Sequence, residues 1–155
     1  MRALVEIDYP GAETELDILR LTRNEAMHAE VVTPPNLSQT DILNARQDVL
    51  KIHLDEALEH YIVQLIIATR QPERYDADLA NWIEFGASPR ATIALDKCAR
   101  AHAWLMGRDF VGPDNIQAVF HNVLRHRLLL SYEAEAEGVN SNQVLDKIMQ
   151  LVPVP

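Results

Sequence analysis

Cysteine and long apolar runs are the features that this sequence most clearly lacks. Its 155 residues include one cysteine, Cys98, so no disulfide can form within the chain. That scarcity fits a reducing compartment. No apolar stretch approaches the ~20 residues that a membrane-spanning helix needs, and the first residues carry no signal-peptide pattern. We therefore expect a cytoplasmic protein without a membrane span.

Positive charge is also scarce, which argues against one large class of function. Lys and Arg number 14 against 23 Asp and Glu, and the formal net charge is −9. A nucleic-acid-binding domain needs clustered basic residues, but here they are scattered among acids. Apolar residues make up 48% of the chain, so we expect one folded domain with a sizeable core.

The motifs of several common active sites are missing as well. The sequence has no HExxH zinc motif, no GxSxG serine motif and no glycine-rich loop followed by Lys and Ser or Thr. This chain alone therefore cannot build a phosphate-binding loop, and no metal site is predicted. Six histidines have spacings that argue against metal ligation: His28, His53, His60, His102, His121 and His126.

Three other reactive or charged groups have simple structural explanations. Cys98 lies on an apolar helical face and is interpreted as a buried, inert thiol. His102 is interpreted as a core or half-buried residue that hydrogen-bonds to backbone. Glu133, Glu135 and Glu137 are interpreted as a solvent-exposed acidic run.

Apolar residues recur at helical spacing along most of the chain and predict a mainly α-helical fold. A short strand is favoured near 128–132, with 82–86 as its candidate partner. The acidic residues after it fit either a half-exposed extended segment or a ragged helix end. The predicted helices span 12–29, 38–52, 54–71, 88–106, 113–124 and 140–151.

The first residues leave two structural alternatives open. Residues 2–8 alternate weakly in the manner of a strand, but no partner strand lies nearby in the sequence. They are either a strand that belongs to a larger sheet or an ordered tail that docks on the helices. The turn signal Tyr9-Pro10-Gly11 ends this segment.

The stretch 86–91 is the best candidate for a binding site. Ser88 suits a helix N-cap, and Pro89 suits the first helical position. Arg90 then falls in the first turn, where the helix dipole disfavours a cation by up to about 1 kcal/mol. A helix N-terminus attracts anions, and an arginine fork suits phosphate oxygens. Arg90 therefore either contacts a phosphate or is solvated or paired with an acid such as Glu84.

These residues carry a resemblance to a known family. Gly86-Ala87-Ser88-Pro89-Arg90-Ala91 resembles the sensor-2 motif of the MoxR family of AAA+ ATPases. The likeness covers nearly the whole chain; it is strong from Trp82 to Pro155 and looser over 38–71. Further matching segments are Tyr9-Pro10 with the acidic helix after it, 101–111, 123–128 and 152–155.

The resemblance implies that this chain is a fragment of a longer ATPase. Residues 1–11 would be a terminal strand and hinge from the αβα nucleotide-binding core, and 12–155 an AAA+ lid-type helical bundle. The family's phosphate loop, magnesium-binding acids and arginine finger do not occur here. The fragment alone is therefore expected not to hydrolyse ATP.

The resemblance also assigns expectations to the sensor-2 segment. Arg90 would contact the γ-phosphate of ATP, which the missing core would bind together with Mg²⁺. Ser88 and Pro89 would hold the helix start in place, and Gly86 would allow a close approach. Ala87 belongs to the same nucleotide-binding segment.

The partners implied by the family are proteins. They are the ATPase core itself, neighbouring subunits of a ring that is expected to be a hexamer, and a von Willebrand factor A domain protein. The implied activity is chaperone-like remodelling or maturation of partner proteins. The alternative hypothesis is a free-standing helical interaction module with no nucleotide role.

Overall fold

Helices make up most of the computed structural model, which describes residues 3–27 and 36–155. In these ranges no helix has both the length and the apolar surface that crossing a bilayer requires. The strands are β1 (Ile83–Phe85) and β2 (Leu129–Leu130), and single 3-10 turns lie at Pro72–Arg74 and Arg125–Arg127. The α-helices are α1 (Ala12–Ala26), α2 (Gln39–Lys51), α3 (Glu56–Arg70), α4 (Ala77–Trp82), α5 (Pro89–Leu105), α6 (Pro113–Leu124), α7 (Tyr132–Ala136) and α8 (Ser141–Leu151).

The two strands form a small antiparallel ladder. Ile83 lies opposite Leu130, and Phe85 lies opposite Leu129. This pairing confirms the predicted partnership of the two segments, as the helix content confirms the mainly helical fold. The ladder leads directly into the sensor-2-like segment, so it fixes where that segment enters the helical bundle.

Capping side chains set the start of several helices. Ser38 accepts a hydrogen bond from the Asp41 N–H at 3.1 Å, and the Asp41 carboxylate accepts one from the Ser38 N–H at 2.9 Å. This capping box confirms the predicted start of α2. Ser131 accepts from the Ala134 N–H at 3.1 Å and caps α7. The acidic stretch is therefore helical, and its extended alternative is wrong.

Helices α3, α5, α6 and α8 enclose the core. Each contributes a side chain that is fully buried: Leu65, Leu95, Phe120 and Ile148 are all 0% exposed. Burial of one such side chain contributes about 1.5–3 kcal/mol. Leu65, Leu95, Phe120 and Ile148 lie on the apolar faces predicted from helical spacing, so the packing follows from the sequence pattern.

The first two helices add no residue to the core. Helix α1 exposes Leu16, Ile18, Leu19 and Leu21, while α2 lies against α5. The last residues predicted for the first helix, with His28, and most of the linker after them lie outside the described residues. The buried core of the described residues thus begins at Ile52, just before α3.

The N-terminal segment docks on the bundle without forming a strand in its described part, residues 3–10. The Leu4 N–H donates a hydrogen bond to the Asn122 carbonyl at 2.7 Å. Arg125 Nη1 lies 2.6 Å from a carboxylate oxygen of Glu6. In its described part this segment contacts the bundle through Leu4 and Glu6 and forms no strand, and its assignment to the sheet of a nucleotide-binding core stays a prediction.

Candidate functional site

The sensor-2-like segment connects β1 to the start of α5. Ser88 has extended backbone (φ −74°, ψ 166°), and Pro89 is the first residue of the helix. The Ser88 side chain makes no capping hydrogen bond, which corrects the expectation that its hydroxyl caps the first turn. The turn is closed instead by the Ala91 N–H, which donates to the Ser88 carbonyl at 2.8 Å.

Gly86 lies against the backbone at the end of α3. A Cβ atom at this position would lie 2.1 Å from the Thr69 carbonyl oxygen and 2.9 Å from the Arg70 Cα. Real Cβ atoms do not approach backbone this closely, so no larger residue fits without a shift of one segment. The close approach that Gly86 allows in this chain is to α3.

Ala87 makes two hydrogen bonds with the last two residues of α3. Its N–H donates to Thr69 Oγ1 at 3.0 Å, and its carbonyl accepts from Arg70 Nε at 2.6 Å. Ala87 is 1% exposed and Thr69 is 0% exposed. We call these contacts of Thr69 and Arg70 the Ala87 clamp. Both polar backbone groups of Ala87 are satisfied, so the chain is fixed three residues before Arg90.

The sequence pattern predicts no functional role for Thr69 or Arg70. Thr69 lies in the last turn of a predicted helix, and its hydroxyl also donates to the Ile66 carbonyl at 2.7 Å. A buried Thr that bonds back to its own helix still has oxygen lone pairs to offer a neighbour. The polar Thr-Arg pair at the end of an apolar helix marks these two residues in the sequence, but it does not indicate that Ala87 is their partner.

Arg90 projects from the first turn of α5 as an exposed side chain. It has no hydrogen bond or ion pair with any residue in 3–27 or 36–155. Its interpretation as a partner of Glu84 is therefore wrong for the described structure. The first turn of α5 also carries no acid, so nothing there offsets the positive helix dipole and the guanidinium. This corner of the molecule suits an anion.

His102 is half-buried, as predicted, but its partner is a side chain rather than backbone. His102 Nδ1 lies 3.1 Å from Asn115 Nδ2. Asn115 Oδ1 in turn accepts a hydrogen bond from the Gly112 N–H at 2.8 Å. This buried network joins α5 to the start of α6 and is structural.

The other candidates do not gather into a site. Burial raises the pKa of the half-buried Cys98 thiol, which fits an inert cysteine. Glu133, Glu135 and Glu137 are exposed, and Glu137 accepts a hydrogen bond from Trp82 Nε1 at 2.8 Å. Within the described residues, no three His, Cys, Asp or Glu side chains are placed to hold a metal ion.

Comparison with known proteins gives one consistent family. The AAA lid domain family matches residues 77–148. "Chaperone MoxR1" of Mycobacterium tuberculosis is 35% identical over 156 residues, which span 97% of this chain and 39% of that protein. "Protein MoxR" of Paracoccus denitrificans is 37% identical over 110 residues, 66% of this chain and 32% of that protein.

A solved structure extends the likeness to three dimensions. The crystal structure of a putative ATPase from Cytophaga hutchinsonii matches 99% of this chain and 46% of that chain, with a TM-score of 0.92 and 35% identity. This chain thus spans less than half the length of the relatives it matches. It contains an AAA lid domain and belongs to the MoxR family of AAA+ ATPases, as the lid portion of such a protein.

Proposed function

We propose that Arg90 is a sensor-2 arginine that contacts the γ-phosphate of ATP held mainly by a nucleotide-binding core outside this chain. One observation carries the proposal: an exposed guanidinium, without a partner among the described residues, stands in the first turn of α5. A planar guanidinium forms short, charge-assisted hydrogen bonds with phosphate oxygens. The positive end of the helix dipole favours the same ligand.

The residues of this chain suit phosphate oxygens rather than a metal ion. Arg90 and the start of α5 supply positive charge, and no metal-ligating cluster lies among residues 3–27 and 36–155. The Mg²⁺ that accompanies ATP would therefore be held by the core and the nucleotide phosphates. In the proposed site Gly86, Ala87, Ser88 and Pro89 fix the helix start from which Arg90 projects.

The proposed mechanism is a lid whose position reports the state of the nucleotide. Arg90 gains its hydrogen bonds only while the γ-phosphate is present, so the lid is held closed in that state. Loss of that anchor after hydrolysis frees the lid to rotate about Tyr9-Pro10-Gly11. Neighbouring subunits of a ring, proposed to be a hexamer, would receive this movement.

The output that we propose is chaperone-like remodelling or maturation of partner proteins in the cytoplasm. The name of one relative, "Chaperone MoxR1", supports this assignment. A von Willebrand factor A domain protein is the proposed partner of the ring. Hydrolysis itself would reside in the core, with Arg90 as the contribution of this chain.

Replacement of Arg90 tests the proposal directly. In the natural protein at its full length, Arg90→Ala should lower ATP turnover at least about tenfold, because a charged contact to the reacting phosphate is removed. The fold should persist because Arg90 is exposed. Arg74→Ala is the matched control, since Arg74 is also exposed and lies outside the segment. Unchanged turnover in Arg90→Ala would refute the proposal.

A second candidate function rests on an apolar groove between α2 and α5. The groove has a volume of about 650 Å³, and Ile42, Val49, Leu50, Trp104 and Leu105 are among its lining residues. Such a surface favours a helical interaction module without a nucleotide role. Calorimetric titration of the full-length protein with ATP separates the two functions, because an interaction module should show no nucleotide binding.

A further inference from the structure

We propose that Thr69 and Arg70 are positioning residues that aim Arg90 at the γ-phosphate. The proposal rests on the proposed function of Arg90 and extends it to a helix that does not contain the sensor-2 segment. Thr69 and Arg70 end α3, yet both bond to Ala87, 18 and 17 residues further along the chain. The Ala87 clamp thus ties the start of α5 to the end of α3.

The start of α5 depends on this clamp because its own residues hold it weakly. Ser88 and Pro89 are exposed, and the Ser88 hydroxyl caps nothing. Ala87 is the last buried residue before the helix. Three contacts converge on Gly86 and Ala87: the Thr69 hydroxyl, the Arg70 guanidinium and the tight approach to the Thr69 carbonyl.

Arg90 lies close enough to Ala87 that a shift of Ala87 would displace it. It follows Ala87 by three residues, and a helical residue advances the chain by about 1.5 Å. Misplacement of a reacting or binding group by 1 Å can cost about 100-fold in rate. Loss of one clamp hydrogen bond should therefore weaken the γ-phosphate contact without removing any group that touches the nucleotide.

Arg70 and Arg90 have different surroundings, which indicates different roles. Arg70 lies at the C-terminus of α3, where the negative end of the helix dipole favours it. Its Nε is already committed to the Ala87 carbonyl. Arg90 lies at a positive helix end and has no partner in the described part of the chain. Arg70 therefore holds backbone, and Arg90 remains free for a ligand.

The readout is the ratio of affinities for adenosine 5′-(γ-thio)triphosphate and ADP, measured on the full-length protein. A merely structural weakening would not discriminate between nucleotides with and without a γ-phosphate. Thr69→Val should lower this ratio about tenfold, and ATP turnover with it, while the ADP affinity stays unchanged. Thr69→Ser keeps the hydroxyl and should restore both values.

A matched pair of arginine variants provides a second measurement. Arg70→Met should also lower the ratio, whereas Arg74→Met should not, because Arg74 is exposed and has no contact with Ala87. Arg70 is an exposed side chain, so Arg70→Met should fold. It therefore tests the positioning inference even if Thr69→Val does not fold. An unchanged ratio in folded Arg70→Met would overturn the inference.

A double-variant cycle shows whether the clamp acts through Arg90. In an Arg90→Ala background, Thr69→Val should cause no further loss of the affinity ratio. Multiplicative losses would overturn the inference, since they would mean that the clamp acts independently of Arg90. If Arg90→Ala alone leaves the ratio intact, the proposed function fails. If Arg90→Ala lowers the ratio and folded Thr69→Val does not, only the positioning inference fails.

Discussion

Helices α5 and α6 lie against each other and both begin at a proline, but their first turns are built differently. In α6, Asn115 is 0% exposed and caps the turn. Asp114 accepts hydrogen bonds from Arg108 Nη1 at 2.7 and 3.0 Å. In the first turn of α5, no side chain caps the helix, no acid is present and Arg90 is unpaired in the described structure.

The difference distinguishes the start of α6, whose side chains bond to one another, from the start of α5, which we propose is available to a ligand. The polar groups at the start of α6 satisfy one another, so an added anion would find nothing to bind. The start of α5 is bonded to α3 through the Ala87 clamp, and its guanidinium has no partner among the described residues. Variants that disrupt the first turn of one helix and leave that of the other intact can test this contrast.

The largest effect is expected from Gly86→Ala. The new Cβ would lie 2.1 Å from the Thr69 carbonyl oxygen, so the backbone must move and the Ala87 clamp must break. The free energy of unfolding should fall by about 3 kcal/mol, measured by urea denaturation of this chain. Gly11→Ala is the control, because a Cβ at Gly11 meets nothing within 4 Å. Equal denaturation midpoints for the two variants would contradict the prediction.

A smaller effect is expected from Asn115→Ala, and almost none from Ser88→Ala. Asn115→Ala leaves the Gly112 N–H without its acceptor and removes the contact to His102. The free energy of unfolding should fall by about 2 kcal/mol. Ser88→Ala should change it by less than about 0.5 kcal/mol, because the hydroxyl caps nothing. Thermal unfolding measures both values. Similar decreases in the free energy of unfolding of the two variants would show that the starts of α5 and α6 contribute equally to stability.

The smallest effect, with the opposite sign, is expected from Arg90→Ala. Removal of a cation from the positive end of α5 should raise the free energy of unfolding by a few tenths of a kcal/mol. Arg108→Ala should lower it by about 0.5 kcal/mol, because a partly exposed ion pair is lost. Calorimetric melting temperatures of this chain measure both. A lower melting temperature for Arg90→Ala would mean that Arg90 stabilises the fold.

Features that depend on residues within one helical turn were predictable from the sequence. The start of α2 after its N-cap residue Ser38, and the place of Arg90 in a first turn behind Pro89, follow from spacings of three residues or fewer. The apolar faces that carry Leu95 and Phe120 repeat at the helical period. These predictions succeed because local geometry determines them.

Features that depend on packing between helices were not predictable. The Ala87 clamp joins residues 17 and 18 positions apart, and nothing in the local pattern indicates that α3 ends beside Ala87. The residue type of Ser88 predicts that its hydroxyl caps α5, but the side chain makes no capping hydrogen bond in the structure. His102 was assigned a backbone partner because its neighbour on α6 could not be foreseen.

Helix α5 carries different features at its two ends. Its 17 residues give it a length of about 25 Å; Arg90 stands at one end, and Trp104 and Leu105 line the groove beside α2 at the other. A tilt of about 5° pivoted at Arg90 displaces Leu105 by roughly 2 Å. If an anion binds at Arg90 as proposed and tilts α5, the width of the groove beside α2 should therefore change when the anion binds.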